Sequence, residues 1–226
     1  GENAALPHAT VSHRKLQAGD LLTMDFGCIY QGICTDFTRT IGISGVEEEL
    51  EMIYNIVKSA NLAGLEAVRA GIGANEVDQV VRSVIQEAGY GAYFEHGTGH
   101  GVGYLLNVHE GPQSFRWKNP ADRPAPVLEE GMITSDEPGY YAENEFGIRH
   151  ENLVVCKKAE KTAYGQFMKF EPLTMVPFDL EGIDPAQMEA EERALLNQYH
   201  ALVYEKISPY LDEDEKSWLK EVTQAI

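Results

Sequence analysis

Two hydrophobic periods run along the chain, and they alternate. Residues 20–30 and 32–41 follow the two-residue period of strands around a short turn at Gln31-Gly32. Over residues 47–70, Leu50, Ile53, Tyr54, Val57, Leu65 and Val68 recur at three- and four-residue spacing, which predicts a helix stopped by Gly71 and Gly73. Residues 75–88 predict a second helix, with Val77, Val80, Val81, Val84 and Ile85 on one face and Gly89 closing it. Gly97, Gly99, Gly101 and Gly103 exclude a helix in the next segment, which reads as strand-like through Val108. Residues 111–126 hold four prolines and predict a long loop, either rimming a cleft or plain surface. Residues 132–137 and 150–156 read as strands joined by a turn around residues 144–147. Residues 171–177 alternate again, residues 185–204 form an amphipathic helix, and a last short helix carries Trp218, Leu219 and Val222. The fold class is mixed α/β, of the α+β kind.

Composition narrows the function. Lys and Arg total 18 against 36 Asp and Glu, a formal charge of −18, which disfavours nucleic acid or an anionic membrane surface as partner. Apolar runs stop at four residues, as in 153–156 and 201–204, so no segment spans a bilayer. Cys28, Cys34 and Cys156 cannot all pair and show no CxxC spacing, which points to a reduced, cytoplasmic setting. Residues 181–226 carry eleven acidic and four basic side chains, read as a solvated face around an apolar stripe.

The placement of carboxylates changes the picture. If the first hairpin turns at Tyr30-Gln31, Asp25 and Asp36 lie directly opposite each other and project from one face. Glu137 and Glu151 are equally spaced about Asn144 in the second hairpin, each beside an apolar run. Paired acids repel inside a sheet unless something positive sits between them. Two hairpins donating two carboxylates each fit a dinuclear metal site, neutral when two divalent cations bind. One imidazole among the oxygens favours Mn, Fe, Co or Zn over Ca.

His96, His100 and His109 crowd into one stretch, but the intervening glycines separate it from the helical HExxH zinc motif. His13, His150 and His200 read as structural residues. Asp25-Phe26-Gly27 lacks every companion motif of a kinase, and the glycines at 99, 101 and 103 lack the spacing of a dinucleotide fingerprint.

Five ordered motifs carry a family resemblance. They are Met24-Asp25-Phe26-Gly27, Asp36-Phe37-Thr38-Arg39-Thr40, the stretch from His96 to Gly103, Asp136-Glu137-Pro138-Gly139-Tyr140-Tyr141, and Ile148-Arg149-His150-Glu151-Asn152. Together they resemble the pita-bread metallopeptidases: methionine aminopeptidases, prolidases and Xaa-Pro aminopeptidases. The resemblance implies a pseudo-two-fold antiparallel sheet with flanking helices. It also implies a dinuclear site with Asp25, Asp36, His100, Glu137 and Glu151 as ligands, Asp36 and Glu151 bridging. The ions expected are two Mn²⁺, with Co²⁺ or Zn²⁺ as alternatives.

Within that family, His8, His109 and the tail resemble proline-specific aminopeptidases. Glu137 is implied as general acid–base, and His8 and His109 as donors to the developing oxyanion. His8, His96, His109 and Arg149 are implied to contact substrate, with His96 at the proline pocket. Residues 1–162 correspond to the catalytic domain and residues 163–226 to an aminopeptidase P-type extension that supports a homodimer. The expected substrates are peptides with proline in second position. A prolidase acting on Xaa-Pro dipeptides is the alternative, and a non-enzymatic docking module is the competing class. The first elements of the family's catalytic domain have no counterpart before His8, so the chain is expected to be the C-terminal part of a longer protein.

Overall fold

Both predicted hairpins form, and they carry the site. The computed structural model describes residues 1–6, 10, 12–67, 72–119 and 124–226. The first hairpin comprises β1 (Leu21–Phe26), β2 (Ile29–Tyr30), β3 (Ile33–Cys34) and β4 (Phe37–Gly42). It turns at Gln31 and Gly32, with φ of 49° and 86°, the positive pair that a two-residue hairpin connection prefers. Asp25 therefore pairs with Thr38 rather than with Asp36. The turn sits one residue later than the carboxylate argument assumed, which moves every partner by two. A shift of two keeps each side chain on its face, so the aspartates remain neighbours, diagonally instead of directly opposed.

Helix α1 (Glu48–Glu66) starts with Glu48, Glu49 and Glu51 in its first turn, where carboxylates complement the helix dipole. Helix α2 (Ala74–Glu87) begins with the Glu76 side chain accepting from the Gly73 amide (3.2 Å). The second matches its predicted span to within a residue, whereas the first ends at Glu66 with Ala67 as its C-cap, short of the predicted residue 70. β5 (Gly99–His100) then pairs with β6 (Ser114–Phe115). This corrects the picture of residues 111–126 as a plain surface loop, because Gln113, Ser114 and Phe115 are buried.

The second hairpin comprises β7 (Ile133–Asp136), β8 (Gly139–Ala142), β9 (Phe146–Arg149) and β10 (Asn152–Thr162). Tyr140 pairs with Ile148, and Asp136 with Asn152, so one register centred on Asn144 runs through both ladders. β10 continues well past Cys156 and pairs with β11 (Gly165–Pro172), an extension hidden in the sequence by the charged stretch at residues 157–161. Helix α3 (Ala190–Ile207) begins later than predicted. Residues 185–187 form a separate 3₁₀ turn capped by Asp184, and Glu189 with Glu192 forms a capping box that starts the α-helix. Helix α4 (Glu213–Val222) closes the chain. Among the described residues no helix is long and apolar enough to cross a membrane.

The main core joins the hairpins to the tail. Tyr54 and Val57 of α1, Ile148 of β9, and Phe178, Leu196, Tyr199 and Val203 of the C-terminal part form one buried cluster. Arg39 of β4 is the polar knot at that junction. It donates to the Glu151, Val176 and Pro177 carbonyls (2.7, 2.7 and 3.0 Å) and to Asn152 Oδ1 (2.7 Å), and lies 4.3 Å over the Phe178 ring. A second cluster, with Val77, Phe115, Val154, Cys156 and Phe170, fills the space between α2 and the β10–β11 ribbon.

Candidate metal centre

Three of the site residues sit at breaks in the ladders, while Asp25 lies in β1 and His100 in β5. Asp36 lies between β3 and β4, Glu137 between β7 and β8, and Glu151 between β9 and β10. At these breaks the backbone bonds to a different segment. The Glu151 amide donates to the Thr38 carbonyl (3.1 Å), joining the two hairpins, and the Glu137 amide donates to the Thr98 carbonyl (2.7 Å), joining the histidine segment. Gly99 makes that approach possible: a Cβ there would stand 1.8 Å from the Ser135 carbonyl oxygen.

The side chains converge as a result. Asp25, Asp36 and Glu151 present oxygens within 4.8 Å of one another, as do the ligand atoms of His100, Glu137 and Glu151, and those of Asp36, His100 and His109. All five residues named as ligands from the resemblance meet here. His109 joins them as a sixth, its ring 4.0 Å from that of His100. Thr38 Oγ1 donates to Glu151 (2.7 Å) and Ser135 Oγ to Glu137 (2.9 Å), orienting both carboxylates. His100 Nδ1 lies 3.0 Å from the Gly101 carbonyl. Its Nε2 faces Asp36 (3.4 Å) and Glu137 (3.5 Å), where a bound cation would take the nitrogen's lone pair in place of its proton. Neither Thr38 nor Ser135 was singled out from the sequence, although Thr38 belongs to one of the quoted motifs.

Arg149 and His96 line the cavity beside this cluster, about 560 Å³ in volume. Arg149 pairs with Asp25 and donates to Tyr141 Oη (3.0 Å) and Thr38 Oγ1 (3.1 Å). His96 Nε2 lies 2.8 Å from Tyr141 Oη, and its other nitrogen 2.7 Å from the Gly97 carbonyl. Arg116, Trp117 and Lys118 of the proline-rich loop line the same cavity, so that loop does rim the cleft. Arg82 supports the wall from behind, donating to the Phe94 and His96 carbonyls (2.7 and 2.6 Å), pairing with Asp78 (3.1 Å) and stacking 3.8 Å from Trp117. His8 lies outside the described residues. His150 and His200 are buried in the core. His200 accepts from the Phe178 amide (3.0 Å), whereas His150 packs edge-on to Tyr54 with neither ring nitrogen hydrogen-bonded among the described residues.

The electrostatics follow from burial. Burial pushes the Glu137 carboxyl up to about 7 and, with the neighbouring Glu137 and Asp36 carboxylates, holds Glu151 well above the carboxylate range. Burial opposes charge on His100, but the Asp36 hydrogen bond, the Gly101 carbonyl and the surrounding glutamates outweigh it and raise His100 to about 9. Burial lowers His96 to about 4. Buried acids held above their usual range beside an imidazole whose Nε2 faces them form a donor set that fits divalent cations. Protons occupy the charge-balancing role that cations would take.

Two consequences are measurable. At pH 7.5, loading with a divalent cation is expected to release at least one proton, read by calorimetry in buffers of different ionisation heat. His100 and Glu137 keep their protons to higher pH folded than unfolded, so the chelated protein loses stability as pH rises from 6.5 to about 8. Lys58, lowered by burial to about 8, acts in the opposite sense only above that window, and His96 only below it. A melting temperature that rises across the window would contradict this account.

Residues 1–158 match the model of metallopeptidase family M24, and residues 166–226 match the C-terminal region of peptidase M24. The chain belongs to metallopeptidase family M24. Among M24 relatives, a probable Xaa-Pro aminopeptidase P from Arthroderma otae is 37% identical over all of this chain and 37% of its own length. An Xaa-Pro dipeptidase from Pyrococcus horikoshii is 39% identical over 70% of this chain and 43% of its own. The solved X-prolyl aminopeptidase from Caenorhabditis elegans, described as a cytosolic enzyme with a di-nuclear active site, superposes with a TM-score of 0.88 at 33% identity, covering all of this chain and 37% of that one. The chain thus spans little more than a third of the aminopeptidases it matches. The pita-bread architecture implied by the motifs is the M24 fold observed here.

Proposed function

We propose that this chain carries the catalytic site of a metal-dependent aminopeptidase that hydrolyses the bond between an N-terminal residue and a following proline. The observation that carries the reading is the convergence of Asp25, Asp36, His100, His109, Glu137 and Glu151 in three overlapping ligand groups. The aminopeptidase reading is supported over prolidase by coverage. The Arthroderma aminopeptidase aligns over the whole chain, tail included, and the Pyrococcus dipeptidase over 70% of it.

In this reading Asp25, Asp36, His100, Glu137 and Glu151 would hold two divalent cations, with Asp36 and Glu151 shared between them, Asp25 serving one and His100 with Glu137 the other. Two divalent cations bound there, manganese being the expected pair, would supply Lewis acidity and would lower the pKa of water toward neutrality. Glu137 takes the nucleophile's proton and passes it to the departing proline nitrogen. His109, with His8, donates to the developing oxyanion. Arg149 fixes Asp25 and borders the substrate cavity, and His96 faces the proline ring. The acidic cluster also attracts the free amine of the substrate.

The wider organisation belongs to the same proposal. Residues 1–162 carry the chemistry, residues 163–226 pair two copies, and the protein works in a reduced, cytoplasmic setting, where its three free cysteines stay thiols.

The test is a matched pair, an Xaa-Pro dipeptide and an Xaa-Pro-Xaa tripeptide, assayed with manganese and with chelator. Metal-dependent cleavage of the tripeptide is expected. Cleavage of the dipeptide alone would move the assignment to prolidase, and silence on both with two ions bound would overturn it for this chain.

A further inference from the structure

Arg82 is a buried cation that stands behind the cleft without entering it. It projects from α2, is 7% exposed and takes no part in lining the cavity beside the metal centre. Its helix is a stiff mount, because Val77, Val81 and Ile85 on the same element are fully buried. The guanidinium pairs at two points with Asp78 one turn earlier (3.1 and 3.3 Å). Its other bonds go to the Phe94 and His96 carbonyls (2.7 and 2.6 Å). Aromatic rings cover it, with the Phe94 and Trp117 ring centres 4.2 and 3.8 Å from its central carbon.

Two of these partners, His96 and Trp117, line the cavity. Trp117 belongs to the loop after β6 and is half-buried between the exposed Arg116 and Lys118. The Lys118 ammonium also lies over the indole, but at 5.5 Å and in solvent. A cation–π contact is worth most when it is close and desolvated, so the hold on the indole belongs to Arg82. One side chain on a rigid helix therefore fixes two wall residues that come from separate segments.

We propose that Arg82 is a positioning residue for substrate binding: it clamps Trp117 beside His96, so that the residues after the scissile bond meet a preformed wall. The inference rests on the proposed aminopeptidase reading, in which His96 faces the proline ring. Preorganisation of this kind acts on affinity, because a loose indole must be ordered by each arriving peptide. Turnover is set elsewhere. Asp78 accepts from the Thr98 amide and hydroxyl (2.8 and 2.9 Å), and the Thr98 carbonyl in turn accepts from the Glu137 amide. Lysine at position 82 keeps a charge beside Asp78 and so leaves that chain in place. It lacks the planar fork that reaches both carbonyls while stacking on the indole.

The test follows Trp117 and binding separately from turnover. Trp218→Phe leaves Trp117 as the only tryptophan, so its fluorescence reports the clamp. The ligand is prolyl-leucine, the product-side half of a substrate with no Xaa-Pro bond to cleave, titrated against the metal-loaded protein. In that background Arg82→Lys is expected to make Trp117 more accessible to acrylamide and to weaken prolyl-leucine about tenfold. KM for an Xaa-Pro-Xaa tripeptide should rise in parallel, with kcat within about threefold. Trp117→Ala, which alters only a loop side chain, should weaken prolyl-leucine similarly by calorimetry, and adding Arg82→Lys to it should cost little more. Additive losses, unchanged quenching, a fall in kcat at constant KM, or a Trp117→Ala protein that binds prolyl-leucine normally would overturn the assignment. Failure of the aminopeptidase reading has a different signature: prolyl-leucine binds in an Arg82-dependent way while no Xaa-Pro peptide is cleaved.

Discussion

Replacing Asp36 by Asn is expected to abolish metal binding and peptidase activity together while leaving the fold in place. Asp36 belongs to two of the three ligand groups, one with Asp25 and Glu151 and one with His100 and His109. It also stands 3.4 Å from His100, the imidazole that shares the glutamates' site. An amide at that position keeps the shape but loses the charge, and one of its two atoms becomes a donor facing cations. Changes to residues that merely orient ligands typically cost 10–100-fold in metal affinity, so loss of a carboxylate common to two ligand groups should exceed that range. Metal content after dialysis and kcat/KM on an Xaa-Pro-Xaa tripeptide measure the two losses. Retained metal with retained turnover would remove Asp36 from the centre.

The second large effect lies at Arg39, which touches no substrate in any reading of the site. Arg39→Met is expected to cost about 3 kcal/mol or more in stability, because it strands several buried acceptors at once. The Glu151, Val176 and Pro177 carbonyls and Asn152 Oδ1 all accept from its guanidinium. Methionine fills much of the space over Phe178 but donates nothing. Since one acceptor is the backbone of Glu151, metal affinity should fall as well, by less than in Asp36→Asn. Chemical denaturation with and without metal separates the two effects. Unchanged stability would mean that the tail is held by its apolar core alone.

Much of the candidate centre was legible because hairpins encode it in one dimension. The symmetry of Glu137 and Glu151 about Asn144 survives intact as a single register through two ladders. The first hairpin was placed with a shift of two residues, since the turn takes the two positive-φ positions at Gln31 and Gly32. That error left the aspartates on the correct face, so the inference of a metal cluster outlived it. Phe115 and Ser114 were lost among the prolines of their loop, because only the pairing with β5 reveals that they are buried. The second half of β10 was missed because its charges serve a solvated two-stranded ribbon, whose pattern differs from that of a core strand. Arg39, Arg82 and Asp78 were out of reach for a different reason. A buried ion is defined by partners far away in sequence, such as Pro177 for Arg39 and His96 for Arg82, and no local pattern announces them.

The breaks in the two ladders bear on how such a centre tolerates change. Each acid pair is placed by its rank from a turn, counted along both strands, so what is stored is a parity rather than a distance along the chain. A longer turn at Asn144 leaves Glu137 and Glu151 facing each other, since nothing between them and the ladder has moved. One residue added within β8 alone would rotate Glu137 to the opposite face and disarm the centre while sparing every ligand. Length variation in proteins built this way should therefore gather at the hairpin tips and avoid the short strands behind them.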